Sequence, residues 1–412
     1  ALLLEANPDW SPSTLKSALM TTAFQDVIGG DPNFFAHPFE MGAGHVDGNR
    51  ALDPGLVYDS DFLDYAAYLC GIDDSPFPDF DCGVLGGAGF SFAATDVNLP
   101  SFGVNDLISG DVVTRRVTNI GPPGTYTIAV EEPFGVNVFV EPPELTLGTG
   151  ETAEFDVIFE TVEPDYDLWA FGRLEWWDGT HSVISPIAVA PVFLRAPDEL
   201  LLSGTEGSTI LPIDFGYDGV YDATVHGLNA PFLSVVDAFI DDDPTNSFSF
   251  RDTNGVAQHY FTVEPNDLHL RIAMFDSETD GDDDLDLYLY YCEDGINCVK
   301  VDESGSFTSE ETIDVPFPLP GDYALLVHGF ETDQSTGGPG AVYSLHAWTY
   351  TADDAQSNLL YTIPTDVAVG DRFDLDVEWS GLDAGVRYFG AIQHYTDTSG
   401  PAYDVTLVSV AP

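Results

Sequence analysis

The densest concentration of side chains able to do chemistry is Asp280-Gly281-Asp282-Asp283-Asp284-Leu285-Asp286. Calcium is a hard cation that takes six to eight oxygen ligands, and carboxylates at alternate positions can supply them. Counted from Asp276, oxygen-bearing residues fall at positions one, three, five, seven and nine, with Gly281 at position six. That spacing imitates an EF-hand loop, but the twelfth residue is Leu287 and no flanking helix is expected. Asp280, Asp282, Asp284 and Asp286 are therefore candidate ligands of a strand-edge calcium site. The competing reading is a solvated acidic loop. The pattern calls for no other cofactor.

The sequence offers no catalytic residues. It has nine histidines, but neither a Gly-x-Ser-x-Gly elbow nor a Gly-Thr-Ser motif. A hydrolytic triad needs a base within reach of the nucleophile and an acid behind it, and no local pattern suggests one. His45, beside Gly42-Ala43-Gly44, reads as a scaffold residue. Tyr221-Asp222-Ala223-Thr224-Val225-His226-Gly227-Leu228 resembles Tyr323-Ala324-Leu325-Leu326-Val327-His328-Gly329-Phe330. Two readings fit this weak repeat: a histidine pair at one site, or two related sandwich domains that end equivalent strands alike.

The four cysteines form two close pairs, Cys70 with Cys82 and Cys292 with Cys298. The first pair flanks Pro76 and Pro78, and the second flanks the turn signal Asp294-Gly295. Neither spacing suits zinc. Two local disulfides imply an oxidising compartment, and four buried free thiols are the alternative.

Charge narrows the partners. Eleven Lys+Arg face 70 Asp+Glu, a formal net charge of -59. Such a chain repels nucleic acid and anionic membranes. The acidity fits either a soluble secreted surface or adaptation to high salt. No apolar run is long enough for a transmembrane helix. Ala1-Leu2-Leu3-Leu4 does not read as a secretory leader. A secreted-looking chain without a leader is expected to be part of a longer protein. With 412 residues, 44% hydrophobic, two to four folded domains are expected.

The elements that must position these residues are mainly β. One strong helix is predicted over 11–24, with Ser11 as N-cap and Pro12 as first helical residue. Leu15, Ala18, Leu19 and Thr22 share one face at helical spacing. A shorter helix is predicted at 61–69. From about residue 95 the period changes to two, as in Val112-Val113-Thr114-Arg115-Arg116-Val117-Thr118 and Glu154-Phe155-Asp156-Val157-Ile158-Phe159. About seven such strands up to the linker Arg195-Ala196-Pro197 predict a β-sandwich. Strands continue to the end, with a loop tip at Gly337-Gly338-Pro339-Gly340.

Two segments carry a family resemblance. Asn7-Pro8-Asp9-Trp10-Ser11-Pro12-Ser13-Thr14-Leu15-Lys16-Ser17-Ala18-Leu19-Met20-Thr21-Thr22-Ala23 resembles the helix that follows the nucleophile helix in subtilisin-like serine proteases (subtilases, peptidase family S8). Met41-Gly42-Ala43-Gly44-His45-Val46-Asp47-Gly48-Asn49-Arg50-Ala51-Leu52-Asp53-Pro54-Gly55-Leu56-Val57-Tyr58-Asp59 resembles the segment closing that catalytic domain in plant-type, cucumisin-like members. Gly48 departs from the family's usual proline. The resemblance implies that the Asp, His and Ser of the triad lie upstream, so the catalytic residues in this chain are none. Leu2, Leu3 and Leu4 would be the apolar end of the nucleophile helix.

Residues 95–195 resemble the fibronectin type III-like domain of the same family, through Asn98-Leu99-Pro100-Ser101 and Thr114-Arg115-Arg116-Val117-Thr118-Asn119-Ile120-Gly121. Residues 198–350 look like the pre-peptidase C-terminal β-domain of secreted bacterial proteases. The expected architecture is thus mainly β: a C-terminal remnant of an α/β subtilase catalytic domain (1–59), a connector (60–94), a sandwich (95–195), a β region (198–350, divisible at 250/251) and a short β unit (351–412). The resemblance implies part of a secreted serine endopeptidase that acts on protein substrates through the missing domain. The C-terminal β-domains would bind a polymer or cell-surface ligand. A non-catalytic binding or adhesion protein is the alternative.

Overall fold

The computed structural model describes residues 1–30, 35–72, 82–250, 254–293, 297–332, 340–354, 358–364, 366–396 and 402–411. Pro76, Pro78, Asp294-Gly295 and Gly337-Gly338-Pro339 lie outside them. The chain is mainly β and divides into two compact units. The first comprises Ala1–Arg195 with Asp214–Asp218 and Ala368–Asp371. The second comprises Ala196–Ile213, Gly219–Val367 and Arg372–Pro412.

In the first unit the main helix is Pro12–Thr21. The Thr14 N–H donates to Ser11 Oγ at 2.9 Å, which satisfies one of the amides left open at a helix start. The buried face is Thr14, Ser17, Ala18 and Thr21, one position away from the expected stripe, and Leu15 and Leu19 are only half-buried. Small residues let the helix approach strand Ser182–Pro191 and segment Leu56–Val57 closely, and Ser17 Oγ accepts the Tyr58 N–H at 2.9 Å. Helix Phe62–Cys70 is capped by Asp61 and joined by a disulfide to helix Cys82–Gly87, around Ala66, Ala67 and Leu85.

Two sheets form the sandwich. One orders Leu56–Val57, Gly110–Asn119, Thr152–Thr161 and Val136–Glu141. The other orders Phe102–Leu107, Ser182–Pro191, Ala170–Trp177, Gly124–Glu131 and Glu144–Leu147. Alternate residues point inward, so Val113, Val117, Phe155, Val157, Phe159, Leu174 and Trp176 form the core. The expected boundary after residue 59 does not hold as a structural division. Leu56 and Val57 pair with Asn119 and Thr118, and Leu56 and Tyr58 are buried in the sandwich core.

The second unit departs further from expectation. Glu199–Ser203 pairs in parallel with Asp404–Ala411, and Asp222–Asn229 pairs with Tyr388–Tyr395. Arg372–Trp379 lies between Gly207–Phe215 and Leu359–Tyr361. Residues 351–412 are therefore not a separate unit; they complete sheets begun at 199–229. Between the two halves lies an inserted sandwich. Its sheets order Leu233–Ile240, Ala341–Thr351, Asp267–Met274, Glu311–Pro316 and Val256–Val263, Gly321–Glu331, Asp284–Cys292, Cys298–Ser304. Its core holds Leu270, Ile272, Met274, Leu285, Leu287, Leu289, Leu325, Val327 and Leu345. The division at 250/251 also fails, because Leu233–Ile240 pairs with Ala341–Thr351. Pairing over such separations leaves no trace in local alternation.

Candidate functional site

The acidic run enters strand Asp284–Cys292. Asp280 Oδ1 accepts the Val342 N–H at 2.6 Å, which fixes the preceding turn. Asp283 is buried, and its carbonyl accepts Ser309 Oγ at 2.8 Å. Asp284 and Asp286 stand two apart on the strand and share a face. Burial pushes the Asp284 carboxyl up to about 6, helped by Asp286, Glu311 and Glu331.

Asp286 meets a partner that the sequence did not reveal. Its Oδ2 lies 3.4 Å from His328 Nδ1, and His328 Nε2 lies 3.1 Å from Asp243 Oδ2. Asp243 also accepts Thr245 N at 2.9 Å and Ser247 N at 3.2 Å. Burial disfavours the charged imidazole, but Asp286 and Asp243 outweigh it and His328 sits above the usual histidine range. When protonated, His328 is a cation held between two of the acids. Among the described residues no group of three or more His, Cys, Asp or Glu side chains is placed to hold a metal ion. Asp280 is tied to Val342, Asp282 is exposed in the turn before the strand, and Asp284 and Asp286 share one face of the strand.

The two His-Gly sequences do not meet at one site. His226 Nδ1 bonds the Thr351 carbonyl at 2.8 Å, and its Nε2 bonds Gln393 Oε1 at 2.9 Å. Both histidines lie within strands, beside register shifts, and both are buried. A Cβ on Gly329 would sit 2.6 Å from the Asp241 carbonyl, so glycine permits that close approach. Both expected disulfides are formed, Cys70–Cys82 and Cys292–Cys298, the second between directly paired strand residues.

In the first unit, residues 1–59 are tied to the sandwich by polar side chains. His181 Nδ1 lies 2.7 Å from Asp178 and its Nε2 lies 3.3 Å from Asp53. Burial opposes its charge, but the two carboxylates raise its pKa. Tyr58 OH accepts Ser185 Oγ at 3.0 Å. The connector is held by Arg116, whose guanidinium lies 2.7 Å from Asp64, and by Asn98, which bonds the Asp59 carbonyl and the Arg116 N–H. His45 acts through its backbone: it pairs with Phe24, and a Cβ on the neighbouring Gly44 would meet the Phe24 carbonyl at 2.5 Å. Leu2 is 80% exposed.

Part of the chain has counterparts among known proteins. Residues 96–189 match the fibronectin type-III domain family. The chain is 36% identical over 208 residues to subtilisin-like protease SBT3.10 of Arabidopsis thaliana, covering 47% of this chain and 27% of that protein. It is 37% identical over 204 residues to subtilisin-like protease SBT5.4 of the same plant, covering 46% and 25%. A solved structure, WR4, a C. elegans MSP family member, shares 10% identity with a TM-score of 0.17, over 21% of this chain and 92% of that one. The fold and matches define a mainly β chain built on a fibronectin type-III sandwich. Its matched portion is similar to a region of plant subtilisin-like proteases. It spans about a quarter of the length of those plant proteases.

Proposed function

We propose that the chain is the C-terminal portion of a secreted subtilisin-like serine endopeptidase, whose Ser-His-Asp triad lies in residues preceding Ala1. The carrying observation is the 36% identity over 208 residues to a plant subtilisin-like protease. In this reading residues 1–195 brace the catalytic domain without entering the chemistry. Ser17 of the Pro12–Thr21 helix holds the Tyr58 N–H, and Tyr58 in turn enters the sandwich core and bonds Ser185, so a displacement of the helix is felt by the sandwich. Two disulfides and a net charge of -59 suit an extracellular, solvent-exposed life. The C-terminal sandwiches would hold a polymer or cell-surface ligand near the protease.

Reading the coding sequence before Ala1 tests this. The expected result is a Gly-Thr-Ser motif immediately upstream, with Asp and His motifs further back. A start codon followed by a secretory leader at that point would overturn the proposal and favour a binding protein.

A further inference from the structure

Three side chains far apart in sequence stand in one hydrogen-bonded line in the inserted sandwich. Ser234 Oγ lies 3.0 Å from His346 Nδ1, and His346 Nε2 lies 2.8 Å from Glu278 Oε2. Glu278 is itself held by Arg387, with Nε 2.7 Å from Oε1, and the Arg387 guanidinium sits 3.5 Å above the Phe275 ring. A carboxylate only accepts, so His346 Nε2 carries the proton, and Nδ1 is left to accept from the serine. Burial alone would raise the Glu278 pKa; Arg387 and His346 more than reverse that, and the carboxylate stays ionised. Nucleophile, base and orienting acid stand in the order of a hydrolytic triad, with the two imidazole nitrogens exchanged relative to the serine-protease arrangement.

The line meets a cleft at its Arg387 end. Ser234 is directly opposite His346, His346 opposite Ala273, and Ala273 opposite Thr312, so the four side chains form one row on one face of their sheet. The other face is the sandwich core. Ala273 and Thr312 line a cleft of about 460 Å³ with Phe275, Trp348, Arg387 and Phe389. Strand spacing is about 4.8 Å, so Ser234 stands roughly two strands from the cleft floor. Trp348 is 3% exposed, and its Nε1–H has no hydrogen-bond partner among the described residues. A buried donor without an acceptor is suited to a ligand oxygen. Ser234 itself is exposed, and a register shift follows it, with Asp237 at φ 52°. Such bulges redirect side chains beside sites.

We propose that Ser234, His346 and Glu278 form a serine-hydrolase site for small carboxylic esters, with the apolar part of the ester in the adjoining cleft. Ser234 Oγ attacks the ester carbonyl carbon as its proton passes to His346 Nδ1. The ester C–O bond breaks, and the departing alcohol takes that proton. Water then attacks the acyl-serine, giving one proton through His346 back to Ser234 Oγ and releasing the carboxylic acid. Glu278 and Arg387 are positioning residues.

The test treats the full chain with p-nitrophenyl butyrate and, separately, with a fluorophosphonate, beside Ser234→Ala and Glu278→Gln prepared identically. The expected result is a single phosphonate adduct on Ser234 and ester turnover that falls roughly 100-fold in Ser234→Ala, the scale of acid–base assistance. Glu278→Gln is expected to weaken turnover and displace its pH profile, while Ser234→Ala keeps the wild-type circular dichroism spectrum. Equal rates in wild type and Ser234→Ala, or no adduct on Ser234, would overturn the proposal. This outcome is independent of the protease reading, which concerns residues outside the chain.

Discussion

Arg115, in the fibronectin type-III sandwich, gives its hydrogen bonds to the backbone carbonyls of Thr95, Leu99, Ser101 and Thr114. Arg271, in the second unit, gives its own to the carboxylates of Glu199 and Asp314 and to Ser409 Oγ at 2.8 Å. Both side chains are buried, in a chain with only 11 cationic residues. Their electrostatics are opposite. Burial lowers the Arg115 pKa to about 10, and nearby Tyr58 and Asp96 only partly offset it. Burial also opposes charge on Arg271, but Asp314 and Glu199 overcome it and hold the guanidinium above its usual range. Arg115 fixes the path of a backbone segment. Arg271 fastens side chains from strands 43 to 138 residues away in sequence. Arg115 is thus held by polar ties to nearby main chain, and Arg271 by charge pairs between distant strands.

Replacing each arginine would break that contrast most sharply. Arg271→Ala leaves two carboxylates facing each other and is expected to destabilise the second unit by about 3 kcal/mol. Combining it with Glu199→Gln and Asp314→Asn should recover part of the loss. Arg115→Ala strands carbonyl groups and is expected to cost about 2 kcal/mol in the first unit. Denaturant melts that resolve the two units check both values, and little neutral-carboxylate rescue is expected for Arg115.

A weaker contrast lies in pH. His328 has a raised folded pKa, so its contribution is complete below the unfolded value of about 6.5 and is lost as pH rises through the folded value. Asp284 acts in the same direction at lower pH: a carboxyl raised to about 6 loses its advantage as pH rises from about 4 to about 6. His394 opposes them, because burial lowers it to about 4 and keeps it neutral; its environment therefore destabilises as pH falls from about 6.5 towards 4. Thermal melts of His328→Gln should show a flatter stability slope above pH 6.5 than wild type. An unchanged slope would remove His328 from the account.

Local chemistry was readable in the sequence. Ser11 and Pro12 announce a helix start through neighbours three residues away. The cysteine pairs are close enough in sequence to suggest their own bridges, and the period-two runs mark the strands of the first sandwich. Features set by long-range register were not readable. The helix face turned by one position because Ser17 meets Tyr58, 41 residues away. Leu56 and Val57 join a sandwich edge that local alternation does not reveal. The acidic strand was visible as a row of carboxylates, but Asp243 and His328 reach it from 43 residues before Asp286 and 42 after it. Ser234, His346 and Glu278 carry no motif at all; only the pairing of Leu233–Ile240 with Ala341–Thr351 puts the serine opposite the histidine.

Casein hydrolysis tests the central claim most directly, comparing the 412-residue chain with a protein expressed from the coding region extended upstream of Ala1. The account predicts no cleavage by the chain alone. It predicts cleavage by the extended protein, abolished when the serine of its Gly-Thr-Ser motif is changed to alanine. Casein cleavage by the chain alone, or an extended protein that does not cleave, would contradict it.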